Sequence, residues 1–374
     1  MTKIPFNKPY LTGYESRYIE KALENGYLSG NNQFTHKCSK WIETTLGTPK
    51  ALLTPSCTAA LEMCAILADI REGDEIIMPS FTFVSTANAF VLRGGIPVFV
   101  DIDPLSLNIA PDKARRAITE RTKAIVVVHY AGHSCDMSEF QSICSDNNIL
   151  LIEDAAQAIL SRDCEGRYLG TVGDLGCLSF HETKNIICGE GGALLVNNQS
   201  LIERAQIIQE KGTDRCRFLS GFTDKYTWRD IGSSFYPNEI TSAFLYAQLQ
   251  MSDVITQKRR ELWAAYHKEL SSISTSKFRL SIIDYSTEDN NSHIYYIVAK
   301  DLNVRSEIIS LLRERSIMSV FHYIPLHSSP GGKKYGRSFG ELEVTDFIAE
   351  RLLRLPLWIG VDTSEVIKAI AEIS

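Results

Sequence analysis

The sequence predicts an α/β fold in which a large, mostly parallel sheet is followed by a smaller α+β domain. Three observations lead there. Short β-rich runs alternate with helical runs from about residue 50 to Asp154. One helical run, 58–68, is apolar nearly all round, as a helix buried on both sides must be. Further on, a strand at 293–299 sits among helices instead of in regular alternation. The expected division is 1–250 for the large domain and 251–374 for the small one.

The first expected element is a helix. Thr12 and Glu15 have capping-box spacing, Tyr14, Tyr18, Ile19, Ala22 and Leu23 recur on one face, and Gly26 is the stop. Strands are then expected at Ala51–Thr54, Glu75–Met78, Pro97–Val100, Ala124–His129 and Ile149–Glu153. Helices fall between them near 58–68, 84–93, 111–119 and 137–147. Such alternation implies parallel strands with right-handed crossovers. Ligands of such sheets lie outside the carboxyl ends of the strands. After 154, Leu175–Phe180 and Ala193–Val196 read as strands around a glycine-containing loop, and one unbroken helix is expected from about 239 to 270.

Composition narrows the function. The 374 residues are 44% hydrophobic and 22% charged, ordinary for a soluble globular protein. A net charge of −6 argues against a nucleic-acid partner. No apolar run reaches the roughly 20 residues of a membrane helix, and the opening Met1–Phe6 lacks a signal peptide's apolar core. Nine scattered cysteines without a Cys-x-x-Cys pair fit a reduced, cytoplasmic compartment.

Three places carry candidate chemistry. Asp154 ends the run Ile149–Glu153, where it could serve a ligand or cap the following helix. Lys184 lies in Ser179-Phe180-His181-Glu182-Thr183-Lys184, ahead of Gly189-Glu190-Gly191-Gly192, whose glycines allow tight turns near a ligand. Read alone, it could equally be a solvated surface charge. Ser56-Cys57-Thr58-Ala59 joins a strand to the buried helix. Free amides and the positive dipole end suit a phosphate there, with Ser56 and Thr58 as added donors or plain caps. Together the three match pyridoxal phosphate (PLP), which needs a lysine, a carboxylate opposite its pyridine nitrogen and a donor-rich phosphate cup. His129, His133 and Cys135 lie close in sequence, but no second cluster completes four metal ligands, so no metal is expected. No Gly-x-Gly-x-x-Gly follows a strand, and no Walker loop is present.

These pieces, in order, resemble the DegT/DnrJ/EryC1 family of sugar aminotransferases. The matching segments are Gly73–Phe83, Asp154-Ala155-Ala156-Gln157, Ser179-Phe180-His181 with Lys184, Gly189–Gly192, and Tyr323…Pro325-Leu326-His327. The resemblance implies fold type I of the PLP enzymes and a homodimer with active sites at the interface. It implies that Lys184 binds PLP, Asp154 pairs with the pyridine nitrogen, Phe83 stacks on the ring and Gln157 contacts its hydroxyl side. Ser179, Cys57 and Thr58, with Ser56, would hold the phosphate. Tyr323 and His327 would face substrate.

One departure matters. Many members carry Gly-x-Asn-x-Arg before the long helix, and the asparagine reaches the phosphate on the partner subunit. Here the segment reads Gly232-Ser233-Ser234-Phe235-Tyr236, so Ser234 stands in with a shorter reach. Tyr226–Ser234, Leu53–Ala59 and Val320–His327 are similar to a branch that moves an amino group from L-glutamate to C4 of dTDP-4-keto-6-deoxyglucose, for bacterial surface polysaccharides. The stretch 213–236 is rich in arginine and aromatics (Arg215, Arg217, Phe218, Phe222, Tyr226, Trp228, Arg229, Phe235, Tyr236). It would contact the nucleotide sugar, through Arg229 above all, or form a packed interface loop. Other readings are amination at C3 or C4 of another nucleotide-linked keto sugar, a dehydratase of the same fold, and a non-catalytic nucleotide-sugar-binding protein. Lys184 argues against the dehydratase, whose family relatives carry histidine there, and the intact PLP set against the binding protein.

Overall fold

A computed structural model describes residues 3–215, 221, 225–280 and 289–372. Arg217, Phe218 and Phe222 of the arginine- and aromatic-rich stretch lie outside the described residues.

Two helices open the chain, α1 (Glu15–Asn25) and α2 (Gln33–Leu46). The alternating region follows as β1 (Lys50–Thr54), α3 (Cys57–Leu67), β2 (Glu75–Pro79), α4 (Val84–Val91), β3 (Ile96–Val100), α5 (Pro111–Ala117), β4 (Thr122–Val128), α6 (Met137–Asn147) and β5 (Leu150–Asp154). Then come β6 (Leu175–Ser179), β7 (Gly192–Val196) and α7 (Ile202–Gln209). After these run α8 (Glu239–Gln250), α9 (Ser252–Ser271), β8 (Phe278–Leu280), β9 (Tyr295–Ala299) and α10 (Leu302–Glu314). The chain closes with β10 (Val320–Phe321), α11 (Pro330–Tyr335), β11 (Arg337–Ser338), α12 (Glu343–Arg351), β12 (Leu352–Leu355) and α13 (Thr363–Ala371).

The large sheet has the order β1-β7-β6-β5-β4-β2-β3-β11. Its ladders are parallel except where β7 runs against β1 and β6. Its strands are almost wholly buried, because helices cover both faces. That is why they read as continuous apolar runs rather than alternating ones. Helix α3 lies within this core, with its residues 59–61 and 63–67 buried, as its all-round apolar surface requires. The second sheet, β10-β12-β9-β8, is antiparallel and has its own core around Trp263, Tyr266, Tyr295 and Leu353. The chain crosses between the two layers. Ile4 bridges to Ile317, and β11 returns to pair with β3 of the large sheet.

Two local expectations change. The single helix over 239–270 is two helices that break at Met251, whose φ of −108° and ψ of 13° leave the helical range. Asn238 caps α8 by accepting from the Thr241 N–H, and nothing in the apolar pattern marks the break. At α1 the cap position is Tyr14 rather than Thr12. Thr12 and Glu15 still interact, the carboxylate accepting from the Thr12 and Gly13 N–H groups at 2.8 and 2.9 Å, but two residues ahead of the cap. Gly26 ends α1 in the left-handed conformation, φ 73°.

Candidate active site

The carboxyl ends of β1, β5 and β6 converge because the ladder aligns them. Thr54 and Ser179 both pair with Gly192, and Asp154 pairs with Val128 and Cys177. A cavity of about 570 Å³ lies there. Ser56, Cys57, Thr58, Phe83, Asp154, Gln157, Ser179, Lys184 and Tyr323 all line it. Residues from distances of more than 250 in sequence therefore meet at one wall-to-wall site.

Asp154 is the last residue of β5 and is buried. Its Oδ2 accepts from the Thr86 hydroxyl at 2.8 Å and its Oδ1 from the Ala156 N–H at 3.2 Å. Burial raises its pKa, and these bonds together with the charge of Lys184 only partly offset that. A cation placed against this carboxylate would complete its set. Behind it, His129 is locked in one tautomer. The Cys135 N–H donates to its Nδ1, so Nε2 carries the proton and donates to Glu153 at 2.8 Å. Three backbone N–H groups, of Gly170, Val172 and Gly173, also donate to Glu153. This histidine is thus a buried support, and no group of three or more metal-ligating side chains exists among the described residues.

Lys184 sits on the hairpin between β6 and β7. Its N–H donates to the His181 carbonyl, and the hairpin closes through Glu182 to Gly189 and Phe180 to Gly191. Burial lowers the pKa of its amine, with the nearby Arg354 charge acting the same way and Cys57 and Asp154 opposing. A lysine held low is a better nucleophile and proton carrier near neutral pH.

The third corner is the start of α3. Ser56 caps it by accepting from the Ala59 N–H at 3.1 Å, so the capping reading and the cavity reading hold together. The Thr58 and Ser85 hydroxyls are bonded to each other at 2.8 Å. Burial pushes the Cys57 thiol well up, so it stays protonated and adds no negative charge beside an anion. The opposite strand must come very close. A Cβ on Gly192 would lie 2.4 Å from the Cys57 nitrogen, so only glycine lets β7 pass this turn.

Gln157 bridges the walls. Its Oε1 accepts from the Ala131 N–H at 2.7 Å and its Nε2 donates to the Tyr323 hydroxyl at 2.7 Å. Tyr323 holds a left-handed φ of 48°, a strain that packing must maintain. Phe83 precedes α4, lines the cavity and is 59% exposed.

Three expected site residues are elsewhere. Ser234 is exposed and bridges to Glu210. Arg229 donates to Asp214 at 2.7 Å and does not line the cavity. His327 lies behind the wall, where its Nδ1 meets the Ser80 hydroxyl at 2.8 Å and its N–H donates to the same oxygen. Its position follows from Leu326, whose N–H donates to the Ser80 carbonyl and fixes the segment along that strand end.

Sequence reasoning missed Thr86, His293, His322 and Arg354, all of which line the cavity. The signal for Arg354 was present: a lone charge inside Leu352-Leu353-Arg354-Leu355. Thr86 had none, since a threonine in an apolar helix reads as packing. Burial pushes both His293 and His322 well below the ordinary imidazole value, so both are neutral.

The residues present fit PLP. A buried carboxylate with no cation hydrogen-bonded to it among the described residues, a lysine of lowered pKa and a neutral cup at a helix start lie around one cavity. When bound, that cofactor supplies an electron sink for the carbon losing a proton. Against this chain, the family profile for the DegT/DnrJ/EryC1/StrS aminotransferases matches residues 9–374. The chain belongs to that family. It is a PLP-dependent aminotransferase of fold type I. A family relative, the dTDP-4-dehydro-2,3,6-trideoxy-D-glucose 4-aminotransferase of Saccharopolyspora spinosa, is 31% identical over 83% of this chain and 80% of its own. The GDP-perosamine synthase of Escherichia coli O157:H7 is 27% identical over 98% of this chain and 96% of its own. The crystal structure of the aminotransferase TlmJ from Streptoalloteichus hindustanus superposes with a TM-score of 0.89 at 29% identity, covering 99% of this chain and 98% of that one.

Proposed function

We propose that this aminotransferase moves an amino group from L-glutamate to C4 of dTDP-4-keto-6-deoxyglucose, giving dTDP-4-amino-4,6-dideoxygalactose for bacterial surface polysaccharides. The observation that carries the aminotransferase part is the meeting of Lys184, Asp154 and the α3 turn at one cavity. The choice of sugar rests on the segments Leu53–Ala59, Tyr226–Ser234 and Val320–His327, and on a relative named for 4-amination of a dTDP sugar. A relative named for a GDP sugar favours a second reading, amination of another nucleotide-linked keto sugar.

In this reading Lys184 holds the cofactor and then carries the proton to and from the donor's α carbon. Asp154 keeps the pyridine nitrogen protonated, with Thr86 fixing its orientation. Phe83 stacks on the ring and Gln157 holds its hydroxyl side. Ser179 and the amides and hydroxyls of Ser56, Cys57 and Thr58 take the phosphate. Tyr323 faces the sugar, while His327 positions Ser80 rather than touching substrate. Ser234 and Arg229 serve the second subunit of a homodimer. Exposed Leu11, Tyr14, Leu23, Tyr27 and Leu28 at the amino-terminal helices support such a partner face. Residues 251–374 act as the small domain. Among the described residues no helix is long and apolar enough to cross a membrane, and the cysteines described are free, which supports work in the cytoplasm.

The test is the visible spectrum of the PLP-loaded protein. Loss of the cofactor's long-wavelength band with L-glutamate and its return with dTDP-4-keto-6-deoxyglucose is the expected result. A band that answers glutamate but not this sugar transfers the assignment to another keto sugar. A protein that never takes up PLP overturns the reading.

A further inference from the structure

Beside the hairpin that carries Lys184 lies a second, smaller chamber of about 90 Å³. Phe6, Asn7, Thr183, Arg259, His293 and Arg354 bound it, and the rest of its lining is apolar. Thr183, His293 and Arg354 also line the main cavity, so the two spaces share a wall, whereas Arg259 belongs to the chamber alone of the two. The amino-terminal segment closes one side. Asn7 Nδ2 donates to the Glu182 carbonyl of the hairpin at 3.1 Å, Trp358 Nε1 donates to the Pro5 carbonyl at 2.9 Å, and the Phe6 ring lies 4.8 Å from the Arg354 guanidinium.

Two guanidiniums line this space and, among the described residues, no carboxylate does. Arg259, buried on α9, spends Nε and Nη2 on the carbonyls of Ser292 and His293, at 3.3 and 2.6 Å, and its Nη1 has no partner among the described residues. Burial pulls this guanidinium down to about 9, which still leaves it charged at neutral pH. Arg354 on β12 makes no hydrogen bond or ion pair to a described residue, and its Nε is sealed from solvent. His293 adds no charge. Asn185 Nδ2 donates to the Asn291 carbonyl, so its Oδ1 accepts the His293 Nδ1 proton at 2.9 Å and the ring stays neutral. Burying one unpaired guanidinium is costly, and two around one small space also repel. Elsewhere the chain handles two arginines differently. Arg121 and Arg337 converge on Glu75, whose carboxylate is wholly buried. The chamber has the two arginines and a cavity in place of the carboxylate.

We propose that this chamber is a binding site for a small inorganic anion, chloride, held between Arg259 and Arg354. A volume of about 90 Å³ has room for about three waters, hence for a chloride with one or two waters. A whole amino acid or a phosphate ester does not fit, since sites for such ligands run to about 300 Å³ or more. Arginine keeps its charge when buried, so the chamber attracts an anion instead of shedding a proton. The apolar remainder of the lining keeps the local dielectric low and strengthens that attraction. The bound ion ties together α9, β12 and the amino-terminal segment, next to the hairpin of Lys184. It is distinct from the α3 turn, which lines the main cavity and not the chamber. The site needs no assumption about which substrate the main cavity takes.

The experiment uses the PLP-loaded protein, so that the phosphate cup is filled, and bromide as the probe. Crystals soaked in bromide should show an anomalous scattering peak between Arg259 and Arg354. No peak there overturns the proposal, and so do peaks confined to the surface, which are adventitious ions only. Melting is then followed in sodium chloride and in sodium gluconate at equal ionic strength, gluconate being too large for the chamber. Chloride should raise the Tm by about 2 °C or more, and Arg259→Gln should lose that rise. A rise of the same size in Arg259→Gln puts the halide effect elsewhere and overturns the site. If Arg259→Gln does not fold, the bromide map decides alone. Glutarate, a dicarboxylate with no amine to transfer, is titrated by calorimetry in the same two salts, and its affinities should agree within about twofold. A larger loss in chloride would give the chamber to a substrate's carboxylate and overturn the resident-anion assignment.

Discussion

The two walls of the cavity are built on different principles. On the large-sheet wall the polar groups around the cavity have local partners apart from the Lys184 amine: Asp154 has Thr86 and Ala156, Ser56 has Ala59, and Gln157 spans Ala131 and Tyr323. The small-sheet wall holds neutral histidines, a tyrosine in a left-handed conformation and an arginine with no carboxylate partner among the described residues. On the proposed reading the first wall suits a resident group and the second, with fewer internal partners, a visiting one. That difference is what an enzyme with one cofactor and two alternating substrates requires.

The largest effect is expected on the first wall. Lys184→Ala should cut transfer by about 1,000-fold or more while leaving the fold intact, because a nucleophile and proton carrier is lost together. Rates and circular dichroism check this, and near-normal turnover would move the lysine role elsewhere. Lys184 also gives a pH test. Its amine is held low by burial, so it is neutral at a lower pH than a free lysine. Capture of PLP by the apoprotein should therefore reach its plateau below the ordinary lysine range. In Asp154→Ala the profile should move lower still, since Asp154 raises the lysine's pKa. A plateau near the ordinary lysine value would mean that Lys184 is solvated.

Asp154→Ala should slow both half-reactions about 100- to 1,000-fold by removing the charge proposed to keep the ring nitrogen protonated. Thr86→Val keeps the charge and removes one bond to it. That costs about 1.5 kcal/mol, roughly tenfold in cofactor affinity. Equal effects of the two substitutions would show that orientation, not charge, is what this wall supplies.

The same contrast explains what could be read from sequence. Strands β1 to β5 fall within a residue or two of the expected runs, because a strand buried on both faces must be a continuous apolar run. Asp154, Lys184 and the α3 turn could be read because each ends or follows a strand. The second wall was mostly illegible. Arg354, His293 and His322 come from separate strands and loops of a region without regular alternation, and only the packing of two sheets brings them to Lys184. The break at Met251 was invisible for a related reason, since both halves share one apolar pattern and a single residue leaves the helix.

The smallest effect concerns a region that belongs to neither wall. Arg229 is tied to Asp214, whose carboxyl is held low by the Thr227 N–H and by this arginine. The arginine of this pair is half exposed, so solvent screens its charge. In a dimer, the loop carrying it would meet the partner's cavity, where a guanidinium suits a diphosphate. Arg229→Ala should then raise the nucleotide-sugar KM a few-fold and leave the glutamate KM unchanged. An unchanged nucleotide-sugar KM would remove Arg229 from the sugar site and leave its pairing with Asp214 as its whole role.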